Sequence, residues 1–202
     1  MSIAAPLAAK PTASPLPTGG ICCDLHPGVP SNAALLPYLE DYWADTVVQR
    51  GVHPLDTIGY PVNAPLTCRP DWRIEGQKPG SSLARMQTDA LDAFGLSHAI
   101  ANCIYGVQLL YSEDMAKAFA RAVNSWMAAE WLAKEPRLRA SIVVPTQSPE
   151  FAADEIDYWA QDKRFVQVLM IVMDEMPLGR RNYWPIYEAA QRHGLPVGIH
   201  AG

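Results

Sequence analysis

The sequence predicts an α/β fold, namely a TIM-like (β/α)8 barrel of which about half is present. Strand and helix signals alternate from residue 20 onward, and the later strands begin about 30 residues apart, the length of one strand-plus-helix unit. The stretch 165–173 is almost continuously apolar, as a parallel strand covered on both faces should be. A complete barrel needs about 250 residues. The 202 residues hold roughly four units and a fifth strand, so we expect a barrel truncated after strand five.

Five strands are predicted, at residues 21–25, 98–104, 140–144, 165–173 and 197–200. Gly95 separates the second strand from the helix before it, since glycine suits the left-handed residue that follows a helix. Pro145 ends the third strand because proline cannot donate to a ladder. Right-handed crossovers between these strands predict a parallel sheet.

The predicted helices lie between the strands, at residues 82–94, 113–134, from 148 onward, and 183–193. In the second of them, bulky side chains recur three or four residues apart and should pack on the sheet, namely Met115, Phe119, Val123 and Trp126. Ser148 and Pro149 are typical of a helix start, with a capping hydroxyl followed by proline at the first helical position. Gly194 and Pro196 end the last helix.

Two segments fall outside this alternation. Residues 1–19 are rich in alanine and proline and predict a flexible tail with little to bury. Residues 27–80 form a long insertion between the first strand and its helix, too long for a structureless loop in a compact domain. We expect a helix at residues 32–50, with Ser31 as its cap, lying over the carboxyl ends of the strands. The barrel part of the chain is then residues 20–202.

Composition excludes several classes of function. The net charge is −5 and lysine and arginine are not clustered, which argues against nucleic acid as a partner. The longest apolar stretch falls far short of the roughly 20 residues needed to cross a bilayer. The four cysteines show no C-x-x-C spacing, which favours buried, reduced thiols and a cytoplasmic location.

Three residues at strand ends are candidate metal ligands. Asp24 and His26 are two apart at the end of the first strand, so they point to the same side, and His200 ends the fifth strand. In a parallel barrel the carboxyl ends of the strands converge on one face, where the three could hold one ion. The alternative for each is structural: Asp24 caps a turn, and both histidines are ordinary polar residues. The other three histidines are interpreted as structural or solvated: His53, His98 and His193.

Four segments resemble one known family: CCDLHP at 22–27, RLRASIVVP at 137–145, MPLGRRNYWPIYEAA at 176–190 and LPVGIHAG at 195–202. They look like amidohydrolase-related proteins, in the branch that contains aminocarboxymuconate-semialdehyde decarboxylase and the resorcylate decarboxylases. The resemblance spans residues 20–202 and implies a distorted (β/α)8 barrel with one divalent ion, zinc or manganese. Asp24, His26 and His200 match the metal-binding positions on strands one and five. An acid in place of the first histidine looks more like the decarboxylase branch than like the hydrolytic members.

The resemblance implies a non-oxidative decarboxylase of an aromatic or unsaturated carboxylic acid. A hydrolase of a lactone, ester or amide is the alternative. The family also uses a histidine after strand six and an aspartate after strand eight, so we expect the general acid/base histidine beyond Gly202. A third interpretation is a catalytically inactive fragment or interaction module whose open edges associate with another chain, including a homo-oligomer.

Candidate substrate contacts follow from position. Asn102 and Tyr105 lie near the end of strand two and are predicted to reach the substrate. The long insertion offers aromatic and cationic side chains suited to a ring and a carboxylate, which are equally explained as ordinary lid residues: Tyr60, Arg69, Trp72 and Arg73.

Overall fold

One parallel sheet of five strands organises the chain, in the order β1-β2-β3-β4-β5. The computed structural model describes residues 18–55, 69–172 and 176–201. The strands are β1 (Gly20–Leu25), β2 (Leu96–Ala101), β3 (Leu138–Val143), β4 (Phe165–Ile171) and β5 (Val197–His200). Each strand pairs with the next along the chain. The predicted half-barrel is thereby confirmed, with β1 and β5 as its edges.

Within the described ranges, five α-helices accompany the sheet: α1 (Asp41–Arg50), α2 (Leu83–Met86), α3 (Glu113–Trp126), α4 (Pro149–Trp159) and α5 (Trp184–Arg192). Two of them continue as π-helical segments, α2 into Gln87–Asp92 and α3 into Met127–Leu132. Gly95 and Gly194 follow helices with positive φ, as the sequence predicts. The apolar face of α3 is buried, including Phe119, Val123 and Trp126, so the predicted packing of this helix is confirmed.

The segment after β1 differs from its prediction. A single helix was expected over residues 32–50, but the chain forms two 3-10 turns, Asn32–Ala34 and Leu36–Tyr38, before α1 begins. Pro37 explains the break, because proline has no N–H to donate and its ring clashes with the preceding turn of an α-helix. The expected cap is also wrong, since the side chain of Ser31 makes no capping hydrogen bond.

Strand and cap details also differ. β2 ends at Ala101 rather than 104, because after Asn102 donates its N–H to the Leu25 carbonyl the chain turns away into local bonds. Ser148 precedes α4 as predicted but makes no side-chain capping bond. Most of the tail, Tyr60, Cys68, Met173 and Gly202 lie outside the described residues.

The sheet edges and the cysteines are more exposed than expected. Ile21 on β1 and Ile199 on β5 are both exposed. The prediction of buried thiols is right for Cys103 but wrong for Cys23, which is exposed at the β1 edge, while Cys22 is half-buried. Among the described residues, none of the helices has the length and apolar character that crossing a membrane requires.

Candidate metal centre

The carboxyl ends of β1 and β5 bring Asp24, His26 and His200 together. The Nε2 atom of His26 lies 3.2 Å from Asp24 Oδ1, and His200 Nε2 lies 3.5 Å from the same oxygen. One ligand atom from each residue falls within 4.8 Å of the others. The two imidazole rings meet edge to face, with centroids 4.8 Å apart. The structure therefore places the three predicted ligands in one cluster, and their binding of an ion stays a prediction.

The hydrogen bonds of both imidazoles suit a metal ligand. His26 Nδ1 lies 3.1 Å from the backbone oxygen of Asn102, and His200 Nδ1 faces the backbone oxygen of Ala201. A carbonyl only accepts, so each Nδ1 carries the proton and donates it. In a neutral imidazole with this tautomer, Nε2 carries the lone pair that a metal ligand needs, whereas in the charged imidazole Nε2 donates to the Asp24 carboxylate. A divalent cation bound between the two Nε2 atoms and the carboxylate would take the place of these protons.

Asp24 is held in its charged form. Burial alone would raise the pKa of this carboxyl, but the hydrogen bond from Asn102 and the nearby His26 and His200 outweigh that effect, and the pKa lies below its ordinary value. A deprotonated carboxylate at neutral pH is what a hard divalent cation needs as a ligand.

Asn102 is buried and hydrogen-bonded on every side. Its Nδ2 donates to Asp24 Oδ1 at 2.9 Å and to the Cys23 carbonyl at 3.2 Å. Its Oδ1 accepts from Ser141 Oγ at 2.5 Å and from Gln167 Nε2 at 3.0 Å. Both donors and both acceptor positions of the amide thus have protein partners. A direct contact between Asn102 and substrate stays a prediction, and the hydrogen bonds point to a different role.

The side chain of Tyr105 contacts residues outside the cluster. Its ring is buried and stacks on Phe119, and its hydroxyl donates to Asn32 Oδ1 at 2.6 Å. This bond ties the segment after β1 to the segment after β2. The predicted contact between Tyr105 and substrate likewise stays a prediction.

A cavity of about 290 Å³ opens beside Asp24 and His26. Its other walls come from the segment after Arg69 and from α2 with its π-helical continuation, and they include Arg69, Trp72, Lys78, Arg85, Met86 and Asp89. Arg69 stacks over Trp72 and pairs with Asp71 at 2.7 Å. Of the insertion residues predicted to touch substrate, Arg69 and Trp72 line this cavity.

Sequence reasoning missed several residues around the site. Gln167 is the single polar residue of β4, and Ser141 lies between apolar residues of β3; a polar residue within an apolar run is a signal of a buried hydrogen-bonding position. Lys78 and Arg85 lie in the insertion and in α2, where the local sequence offers no such signal. The other histidines stay apart from the cluster, and His193 pairs instead with Asp157 at 2.6 Å.

Comparison with known proteins identifies relatives of this chain. A sequence profile of a family described as amidohydrolase matches residues 21–202. A gamma-resorcylate decarboxylase from Polaromonas sp. is 31% identical over 102 residues, which are 46% of this chain and 31% of that protein.

Solved structures share the fold. A 2,6-dihydroxybenzoate decarboxylase from Rhizobium superposes with a TM-score of 0.58 at 21% identity, over 91% of this chain and 50% of that one. A 5-carboxyvanillate decarboxylase from Novosphingobium aromaticivorans, with bound manganese and 3-methoxy-4-hydroxy-5-nitrobenzoic acid, gives a TM-score of 0.62 at 19% identity, over 91% of this chain and 51% of that one. The chain spans about half the length of these structures.

Proposed function

We propose that this chain, which belongs to the amidohydrolase family, functions in the metal-dependent, non-oxidative decarboxylation of a small aromatic or unsaturated carboxylic acid. The observation that carries this proposal is the convergence of Asp24, His26 and His200 beside a cavity with cationic and aromatic walls. Its relatives named above act on dihydroxybenzoate and carboxyvanillate, which favours decarboxylation over hydrolysis of a lactone, ester or amide.

Asp24, His26 and His200 would hold one divalent ion. One carboxylate oxygen and two imidazole nitrogens suit zinc or manganese, and manganese is bound in the carboxyvanillate decarboxylase. When bound, the ion would orient the substrate carboxylate and stabilise the negative charge that develops as CO2 leaves. The residues themselves keep Asp24 ionised, and backbone carbonyls occupy Nδ1 of both histidines, so that Nε2 is the nitrogen that faces the site.

The cavity beside the cluster supports a carboxylic acid as substrate. Arg69, Lys78 and Arg85 contribute cationic groups, and guanidinium groups pair well with carboxylates. Trp72 and Met86 add the apolar surface that a ring needs. A ligand that combines a carboxylate with an aromatic ring therefore matches both kinds of wall. Asp89 pairs with Arg85 at 2.5 Å and limits the net positive charge of the cavity.

We also place this activity in the cytoplasm, because Cys22, Cys23 and Cys103 are all free thiols, which is typical of a reducing compartment. β1 and β5 are the edge strands of the sheet, and an edge strand can pair with another strand. This supports association either with another segment of the same protein or with a second copy in a homo-oligomer.

The reaction can be tested on the full-length protein that contains this chain. With Mn²⁺ present, we expect CO2 release from 2,6-dihydroxybenzoate or 5-carboxyvanillate, followed together with the loss of substrate absorbance. Hydrolysis of an aromatic lactone is measured in parallel. Lactone hydrolysis without CO2 release from any carboxylic acid would overturn the decarboxylase proposal in favour of the hydrolase.

The ligand assignment has a matched control within the chain. His200 and His193 have similarly exposed side chains, 25% and 23%, and each lies close to an aspartate. Only His200 has a second histidine beside that aspartate. We expect His200→Ala or His26→Ala to remove most of the bound metal, measured by elemental analysis after dialysis, and His193→Ala to retain it. Equal metal content in all three variants would contradict the assignment.

A further inference from the structure

The amide of Asn102 has hydrogen-bond partners at both ends, two acceptors at Nδ2 and two donors at Oδ1. Ser141 on β3 and Gln167 on β4 both donate to Oδ1, at 2.5 and 3.0 Å. An amide turned by 180° would place its NH2 group against these two donors, and would present its oxygen to the Asp24 carboxylate. The Asp24 carboxylate and the Cys23 carbonyl only accept, so they require the donating end of Asn102, and Ser141 and Gln167 hold the opposite, oxygen end in place.

Asn102 reaches two members of the metal cluster at once. Its Nδ2 donates to Asp24 Oδ1 at 2.9 Å, and its backbone oxygen lies 3.1 Å from His26 Nδ1. The backbone N–H of the same residue donates to Leu25, which lies between Asp24 and His26, at 2.7 Å. One residue at the end of β2 thus sets the carboxylate, the imidazole tautomer and the strand segment that carries both.

On β5, the glycine at position 198 leaves space for the side chain of Gln167. A Cβ atom on Gly198 would lie 2.9 Å from Gln167 Nε2, closer than real Cβ contacts. Gly198 stands two residues before His200 on β5, where a side chain would push the Gln167 amide away from Asn102. The hydrogen bonds thus connect Gln167 on β4 through Asn102 to Asp24 on β1, and Gly198 on β5 lies beside Gln167.

We infer that Asn102 is a positioning residue of the metal centre, and that Ser141, Gln167 and the space at Gly198 hold its amide in the orientation that aligns Asp24 and His26. This inference rests on the proposed metal function of the site. Asn102 would act without touching substrate or ion, since its amide is fully used by protein partners.

The test measures Mn²⁺ affinity of the full-length protein that contains this chain by calorimetric titration, with thermal unfolding monitored so that only folded protein is compared. Ser141→Ala combined with Gln167→Ala removes both donors that orient the amide. We expect this double variant to bind Mn²⁺ about 10- to 100-fold more weakly, the usual cost of losing outer hydrogen bonds to metal ligands. Ser97→Ala and Gln161→Ala are the controls, because they remove the same groups from hydrogen bonds remote from the cluster, and their affinity should not change.

A second variant separates positioning from general stability. Gly198→Ala removes no hydrogen-bonding group, yet it should weaken Mn²⁺ binding by displacing the Gln167 amide. In a Gln167→Ala background, where that amide is absent, Gly198→Ala should have no further effect. A merely structural role would lower the unfolding temperature and leave both affinities unchanged, and that result would overturn the inference. If the unaltered full-length protein binds no Mn²⁺, the proposed metal site itself is wrong. If it binds Mn²⁺ in a His200-dependent way that the double variant preserves, only the role of Asn102 is wrong.

Discussion

Among the residues that the structure describes, two carboxylates accept a hydrogen bond from a buried asparagine, and their surroundings differ. Glu155 on α4 is 1% exposed and receives bonds from Arg121, Asn124 and Trp159, between 2.6 and 3.1 Å. The Asp24 side chain is 57% exposed and has a single asparagine donor at 2.9 Å, with two imidazole nitrogens facing it. Protein donors occupy the Glu155 carboxylate, whereas the Asp24 carboxylate keeps lone pairs available to a cation.

The pKa directions of the two carboxyls follow this difference. Burial raises the pKa of Glu155, and its hydrogen bonds and the Arg121 charge offset only part of that effect. At Asp24 the burial is slight enough for Asn102 and the histidines to lower the pKa instead. The buried Glu155 carboxylate connects α4 to α3 through its hydrogen bonds. It is also linked to β3, because its partner Asn124 bonds the backbone N–H and the carbonyl of Val143. A carboxylate kept ionised at the surface, beside two imidazole Nε2 atoms, is suited to bind a metal ion.

The largest expected effect comes from removing the saturated carboxylate. Glu155→Ala leaves Arg121, Asn124 and Trp159 without their acceptor, so we expect the free energy of unfolding to fall by about 3–5 kcal/mol. Urea denaturation measures it. Asp154→Ala is the neighbouring control, since its exposed pair with Lys117 at 3.6 Å should contribute about 1 kcal/mol or less. Equal losses for the two variants would show that the Glu155 network does not hold α3 against α4.

Asp24→Asn should show the opposite pattern. The side chain is exposed, so the unfolding free energy should change by about 1 kcal/mol or less. Mn²⁺ affinity should fall by at least about 100-fold, because the variant loses the anionic ligand and places an amide beside the two Nε2 atoms. Calorimetry on folded protein gives the affinity and urea denaturation the stability. A variant that loses stability but keeps its metal would make Asp24 a scaffold carboxylate like Glu155 and remove the contrast.

The sequence predicts the strands and the cluster for related physical reasons. Strand and helix periodicity are local, and the order of parallel strands follows from crossovers of ordinary length. His200 could therefore be placed beside Asp24 although the two are far apart along the chain. The same reasoning fails where the chain departs from regular periods, as at Pro37 and in the π-helical continuations of α2 and α3.

The environment of the cluster is harder to predict because it depends on partners far apart in sequence. Ser141 and Gln167 lie 39 and 65 residues from Asn102. Their orientation depends on register between strands, which a single sequence does not specify to one residue. For the same reason the sequence indicates where Asn102 lies but not the hydrogen bonds of its amide, and its contact with substrate stays a prediction.

The smallest predicted effect concerns a second structural carboxylate and extends the contrast to pH. Glu135 accepts from Arg137, which lowers its pKa to about 2, and the side chain is 5% exposed. Because the folded-state pKa lies below the unfolded value, the stabilisation is complete above about pH 4.5 and is lost as pH falls towards 2. A shift of this size corresponds to at most about 3 kcal/mol, and partial exposure of Arg137 should reduce it to about 1–2 kcal/mol. The stability difference between the unaltered chain and Glu135→Gln should therefore shrink between pH 5 and pH 2, as measured by urea denaturation.

Glu130→Gln is the control, because Lys134 also lowers the pKa of Glu130 but its side chain is 42% exposed, so the difference should stay within about 1 kcal/mol at every pH. If the difference in unfolding free energy between the unaltered chain and Glu135→Gln did not change with pH, solvent would screen the Glu135–Arg137 pair as well. Glu155 would then be the one carboxylate of the three compared that burial and several donors make stabilising.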